Sequence, residues 1–442
     1  MTSPTRKLEQ STGGLRCAAT SDVGMRRTSN QDSMAINLSE SPARWASHGH
    51  LFVVADGMGA HAAGELASKL ATDTISHSYF KRTDRSPSEA IDEAVREANN
   101  TIHTKGQNSV DFQGMGTTCS CLLLLPQGAL VAHVGDSRVY RLRDNRFEQL
   151  TFDHSLVWEM AAASHAAEED IPAYVPKNVI TRSLGPHPTV AVDIEGPFAL
   201  RSGDRFLLCS DGLTGPLNPE LIGMVLSSLP AAEVPQSLVD LANLLGGPDN
   251  ITAVIVEIAN ASELGEPVEQ KSSKAAETSA AVKRPSIHPL GWIAMAFSAL
   301  VAVAAVAIGN PLLATLSAGA GIGVGVVSWM LKNSRCRPCE SAYNLRGQRG
   351  KAPYRCHDCA PSALNISTLG DIVRQLEDLE GQRDWSFDWQ SIHEKRHEAH
   401  EAISRGDYQA AVAAFCQAVH RLMESLRLST AERPSDSNVD LA

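Results

Sequence analysis

Four apolar runs in this chain are bordered by an aspartate that has glycine beside it or within three positions. Asp56 closes "LFVVADG" and Asp211 closes "RFLLCSDG"; Asp136 stands in "VAHVGDS", and Asp249 precedes the run in "GGPDNITAVIVEI". Any single Asp-Gly is most simply a turn. Recurrence is another matter. Carboxylates at strand ends can converge on one edge of a sheet, and glycine lets backbone carbonyls approach the same point. Packed together, such carboxylates repel unless cations lie between them. Hard oxygen ligands favour Mg²⁺ or Mn²⁺ over zinc.

The rest of the chain supplies the scaffold. Strand-like runs fall at 51–55, 117–125, 129–135, 138–143, 205–210 and 252–258, and helical patterns at 62–80, 86–105 and 232–246. Strands arrive in succession over 117–143, which predicts an antiparallel α+β domain rather than a βαβ repeat. A chain of 442 residues exceeds ordinary single-domain size, and 43% hydrophobic residues suffice for a core. The net charge of −11 argues against a nucleic-acid binder and suits a protein that gathers carboxylates around cations. The polar start, "MTSPTRKLEQSTGGLR", has no apolar leader and reads as disordered over 1–14. Nine cysteines, four grouped and five scattered, indicate a reducing compartment.

In chain order, "SDVGMRRTSNQDSMAI" (21–36), "VVADGMGAHAAGELAS" (53–68), "GMGTT" (114–118), "HVGDSRVYRLR" (133–143), "ITRSLG" (180–185), "GDRFLLCSDGL" (203–213) and "GGPDNITAVIV" (246–256) resemble the metal-dependent protein phosphatases of the PPM (type 2C) family, bacterial serine/threonine branch. The resemblance covers residues 15–260. It implies an α-β-β-α sandwich of two antiparallel sheets flanked by helices, with two Mn²⁺ or Mg²⁺ ions at one edge. By the same resemblance Asp56 bridges the two ions and the Gly57 carbonyl ligates one of them. Asp211 and Asp249 then match the carboxylates that complete the other ion's shell. Asp32 matches an acid near the metals, and Asp136 joins Asp211 at a weaker third ion. Arg27 matches the arginine that grips the substrate phosphate, for which a planar fork is suited. Residues 152–180 occupy the place of the family's variable flap, which tunes substrate choice.

Three departures stand out. Gln31 replaces an acid that often orders metal-bound water. Ala60 replaces a glycine, which is tolerable unless that backbone needs positive φ. Met58 follows the Asp-Gly where members outside bacteria often carry His; His61 is near but is not assigned proton transfer. None of these removes a direct ligand.

Beyond the phosphatase-like region, 261–286 is polar and reads as a flexible linker. Two uncharged runs follow, 290–308 and 312–331, broken at Asn310-Pro311. As one helix they would measure about 63 Å, roughly twice a hydrocarbon core of about 30 Å; split at Asn-Pro, each half matches one crossing. A two-helix transmembrane hairpin over 287–331 is expected. Lys283 and Arg284 before it, and Lys332, Arg335 and Arg337 after it, put both termini on the cytoplasmic side. A buried hairpin of a soluble domain, or a re-entrant second segment, is the alternative.

Cys336, Cys339, Cys356 and Cys359 form two CxxC pairs within 332–362, the spacing of a structural Zn²⁺ ribbon; two disulfides or coincidence are the alternatives. Residues 363–428 are helical in pattern. Ala402, Gly406, Tyr408, Ala411, Phe415 and Ala418 resemble one tetratricopeptide-type hairpin, able to dock on the ribbon, another subunit or a protein ligand. Residues 429–442 read as a disordered tail.

The sequence therefore points to hydrolysis of phosphoserine and phosphothreonine on proteins, by water shared between two cations at the membrane's cytoplasmic face. The resemblance implies phosphoprotein substrates, among them a bacterial-type Ser/Thr kinase and its targets. The rivals are a PPM-fold regulator of one dedicated phosphoprotein, and a membrane adaptor carrying a vestigial phosphatase domain.

Overall fold

The structure, a computed structural model, describes residues 6–60, 62–164, 166, 168–172, 174–176, 178–264, 350–377 and 388–431. The first strands are β1 (Arg6–Thr12), β2 (Leu15–Asp22), β3 (Asp32–Asn37), β4 (His50–Met58), β5 (Gly116–Thr117), β6 (Cys119–Leu125) and β7 (Gly128–Val134). They are followed by β8 (Arg138–Arg143), β9 (Arg146–Gln149), β10 (Asp193–Phe198), β11 (Arg205–Cys209), β12 (Ile251–Ile258) and β13 (Arg355–Asp358). The helices are α1 (Pro42–His48), α2 (Ala63–Lys81), α3 (Pro87–Gln107), α4 (Leu156–Ser164), α5 (Asp211–Thr214), α6 (Pro219–Ser228) and α7 (Val234–Leu244), then α8 (Ala363–Glu377), α9 (Trp389–Ser404) and α10 (Tyr408–Ala431).

Two antiparallel sheets result, in the orders β1-β2-β12-β11-β8-β9-β13 and β10-β7-β6-β4-β3. Both are covered on both faces, so their central strands read as continuous apolar runs. On β4, Phe52 and Val54 point between the sheets with Leu122, Val131, Phe206 and Val254. Leu51, Val53 and Ala55 alternate to the other face and pack under α2 and α3. The start of α3 is fixed by a capping box in which Ser86 and Glu89 satisfy one another's backbone donors. The expected α-β-β-α sandwich is therefore what forms, with α6 and α7 on the outer face of the first sheet.

The N-terminal reading needs correction. Residues 1–14 were expected to be disordered, yet 6–12 form an edge strand in register with β2, from Arg6 opposite Ser21 to Thr12 opposite Leu15. A polar edge strand needs no apolar alternation, because its outer face meets water.

The C-terminal part also differs from a chain of separate modules. All described residues fall in one compact unit. Strand β13 extends the first sheet beyond β9, pairing Arg355 with Gln149 and Asp358 with Arg146. Cys356 lies in this strand and Cys359 directly follows it, so this half of the expected zinc ribbon is built onto the first sheet and does not stand alone. Cys359 is buried beside Phe147 and Gly223, where an added Cβ would come within 2.3 Å of its sulfur. Cys336 and Cys339 lie outside the described residues, as does the expected membrane hairpin at 287–331. Among the described residues no helix is long and apolar enough to cross a membrane.

The hairpin of α9 and α10 turns at Gly406, and it docks on its own chain. Val412, Phe415, Val419 and Leu422 of α10 join the cluster formed by α6 and α7. Each fully buried side chain of this kind contributes about 1.5–3 kcal/mol. Asp240 of α7, with no exposed side-chain surface, pairs with His420 at 2.6 Å and Arg427 at 3.0 Å on α10. The helix continues through Ala431, two residues past the expected start of the tail. His397 and His400 lie exposed on α9.

Candidate active site

Five strand ends or turns bring the predicted acids to one edge of the sandwich. Asp32 opens β3 and stands directly opposite Asp56 on β4. Asp136 lies in the turn that carries the chain from β7 in one sheet to β8 in the other. Asp211 follows β11 and starts α5, and Asp249 precedes β12. The backbone at Asp56 is pinned: its N–H donates to Thr118 Oγ1 at 2.9 Å, and its carbonyl accepts from the Thr118 N–H at 2.9 Å and the Thr117 hydroxyl at 2.8 Å. Thr118 Oγ1 lies 2.7 Å from Ser137 Oγ, which ties this strand to the Asp136 turn.

The electrostatics are those of crowded acids. Burial, then the charges of Asp32, Asp211 and Asp136, push the Asp56 carboxyl well above the carboxylate range. Burial likewise raises Asp32 to about 7, against hydrogen bonds from Thr252 and Ser210 and with the charges of Asp211 and Asp249 behind it. Asp136 is raised to about 7 by burial and by Asp211 and Asp153, and Asp211 is raised by burial and by Asp249. Asp32 Oδ2 accepts from Ser210 and Thr252, each at 2.7 Å.

Asp32 Oδ1, Asp136 Oδ1 and Asp211 Oδ1 are buried with no hydrogen-bond donor. An unmet buried acceptor costs about 1–3 kcal/mol, more when charged. A hard divalent cation would relieve all three, so the residues fit Mg²⁺ or Mn²⁺. Among the described residues no three carboxylate, imidazole or thiolate side chains already close on one point as a finished coordination shell. Gly57 directly follows Asp56 on β4. Gly57 is forced to be glycine by crowding, since a Cβ there would lie 2.0 Å from the Gly64 carbonyl oxygen.

Arg27 sits at the exposed rim, its Nη2 2.7 Å from Asp249 Oδ2. Its loop is clamped from below by Asn250, whose amide donates to the Val23 and Ser29 carbonyls at 2.9 Å and accepts from the Gln31 N–H at 2.8 Å. Gly24 takes positive φ there, and a Cβ would collide with the Asp249 carbonyl at 2.1 Å. Gln31 lies against the start of α2, its amide oxygen 2.8 Å from where a Gly64 Cβ would stand. Ala60 does not adopt positive φ, which is why the methyl group is accommodated. His61 lies outside the described residues.

A protein-family model for "Protein phosphatase 2C" matches residues 25–245. The chain belongs to the protein phosphatase 2C family. It is 36% identical over 246 residues to a putative protein phosphatase 2C-type of Streptococcus pyogenes, covering 55% of this chain and 97% of the relative. It is 34% identical to the serine/threonine protein phosphatase PstP of Mycobacterium tuberculosis over 56% of this chain and 45% of that protein. A crystal structure of the catalytic domain of a PstP phosphatase with two manganese ions shares 34% identity, with a TM-score of 0.47, over 56% of this chain and 99% of that one. As a member of the 2C family, the protein is a Mn/Mg-dependent serine/threonine protein phosphatase.

Sequence reasoning missed Ser210, Thr252 and Asn250. Asn250 had a signal, since an Asn at a turn commonly satisfies nearby backbone. The two hydroxyls had none, because nothing local reveals that they meet Asp32 across more than 170 residues.

Proposed function

We propose that this 2C phosphatase hydrolyses phosphoserine and phosphothreonine on proteins with a water shared by two divalent cations. In this reading Asp56, Gly57, Asp211 and Asp249 hold the ions, Asp32 stands behind them, and Asp136 with Asp211 takes a weaker third. The observation that carries it is the set of buried, donorless oxygens on Asp32, Asp136 and Asp211 at one sheet edge. When bound, such ions lower the pKa of a shared water and neutralise phosphate oxygens. Ser210 and Thr252 keep one Asp32 oxygen occupied, and the other has no donor. Arg27 is exposed and held by a single acid, so its fork is free to turn to the phosphate as substrate arrives.

The enzyme is further proposed to work at the cytoplasmic face of a membrane, anchored by 287–331, and to oppose a bacterial-type Ser/Thr kinase. The uncharged lengths of 290–308 and 312–331 and the flanking basic residues support the anchor. A structural Zn²⁺ at Cys336, Cys339, Cys356 and Cys359 is supported by spacing alone. Burial pushes the Cys359 thiol up to about 12, so the ion itself would have to draw off that proton.

The test is hydrolysis of p-nitrophenyl phosphate and of phosphothreonine peptides by the full chain, with Mn²⁺ and with EDTA. Turnover of both with Mn²⁺ and none with EDTA is expected. Rates indifferent to chelation would overturn the reading, and turnover of no peptide would favour a regulator of one dedicated phosphoprotein.

A further inference from the structure

The strand that returns from beyond residue 350 does more than lengthen a sheet. It reaches the segment 152–164, which begins beside the acid cluster. Arg138 lies two residues after Asp136, weighs on the carboxyls of Asp136 and Asp211, and pairs with Asp153 at 2.6 Å. From Asp153 the chain runs into α4, where Trp158 is 6% exposed and Met160 is 38% exposed.

Two guanidinium groups lie against the Trp158 ring. That of Arg355 lies 4.0 Å from the ring centroid and that of Arg138 lies 5.7 Å away. Arg355 also donates to Glu168 Oε2 at 2.9 Å, the same oxygen that accepts from Trp158 Nε1 at 3.2 Å. One residue earlier, Tyr354 packs edge-on against Phe152 at 5.5 Å and donates to Glu195 Oε1 at 2.6 Å. Phe152 in turn meets Trp158 edge-on at 5.4 Å. Two of the groups that fix 152–164 thus come from the start of β13 and the residue just before it, about 110 positions past the end of the matched phosphatase region.

We propose that Arg355 is a positioning residue for protein substrates, holding 152–164 in the place where it meets the peptide flanking the phosphoresidue. The proposal rests on the phosphatase reading above. A small ester needs only the ions and Arg27, whereas a peptide also needs the wall beside them. Stacking of a planar guanidinium on indole and a charge-assisted bond to Glu168 are both lost in Arg355→Ala, and only the second is kept in Arg355→Lys.

The experiment uses the full chain with Mn²⁺ and compares wild type, Arg355→Ala and Arg355→Lys. For Arg355→Ala, KM for a phosphothreonine peptide should rise about fivefold or more, with kcat and p-nitrophenyl phosphate turnover changed less than about twofold. Amide exchange within 152–164 should quicken about tenfold while Tm shifts less than about 2 °C, and Lys should restore part of both. An unchanged peptide KM overturns the proposal. So does an equal fall on both substrates together with Tm, which marks a purely structural role. If wild type turns over neither substrate, the phosphatase reading fails by itself, and unchanged exchange in 152–164 would then still overturn the role of Arg355.

Discussion

Asp32 and Asp56 face each other as directly opposed residues of antiparallel strands, and Asp32 accepts from Ser210 and Thr252 of the other sheet. Like charges opposed across a ladder destabilise it. The sandwich therefore carries a local cost at this edge, which divalent ions would remove.

Replacing Asp56 with Asn separates function from fold. Activity should fall about a thousandfold, equivalent to roughly 4 kcal/mol of transition-state stabilisation. The metal-free protein should melt no lower, and about 3 °C higher, because one buried acid has left the cluster. Thermal denaturation in EDTA checks this; a large drop in Tm would mean that Asp56 is structural.

Metal affinity should depend on pH. Asp32 and Asp136 are raised to about 7 in the folded, metal-free protein, above their unfolded range near 4. Their contribution to metal-free stability is complete below about pH 4 and is lost as pH rises through 7. A cation needs the ionised forms, so Mn²⁺ affinity should climb between pH 5 and 7, by up to about tenfold per pH unit for each proton displaced, and level off above. Calorimetric titrations at pH 5.5, 6.5 and 8 would read this, and an affinity flat across the range would contradict it.

Asp240 is the anchor of the C-terminal hairpin. Asp240→Ala leaves His420 and Arg427 half-exposed, where water can solvate them, so the cost should be about 3 kcal/mol, the low end for a broken buried pair. Urea unfolding measures it. A change under about 0.5 kcal/mol would show that apolar packing alone seats α10.

Gly57→Ala should be severe for its size. The new methyl carbon would fall 2.0 Å from the Gly64 carbonyl and 2.6 Å from the Gln31 carbonyl, both backbone atoms that cannot swing aside. A loss of about 2–3 kcal/mol and of most activity is expected, by Tm and p-nitrophenyl phosphate assay. Wild-type behaviour would place the strand differently.

What the sequence disclosed follows from where apolar pattern is strong. The runs at 51–55, 129–135 and 252–258 are buried on both faces, and all three are strands. The aspartates could be read as convergent because each marks the end of such a run. Strand β13 was illegible: "RCHD" is four polar or half-buried residues whose partner, β9, lies some 200 positions earlier. Strand β1 is hidden for the same reason, being a polar edge. Helix α6 was overlooked despite a local signal, the Asn218 cap followed by Pro219. The pairing of Arg355 with Trp158 depends on the register of β13, which no spacing in the sequence reveals.

The most direct test of the central claim is a calorimetric titration of Mn²⁺ into the metal-free full chain at pH 8. Two strong equivalents are expected for wild type, both abolished or severely weakened in Asp56→Asn. No binding by wild type, or binding unchanged by that substitution, would contradict a cation pair held by this edge of the sandwich.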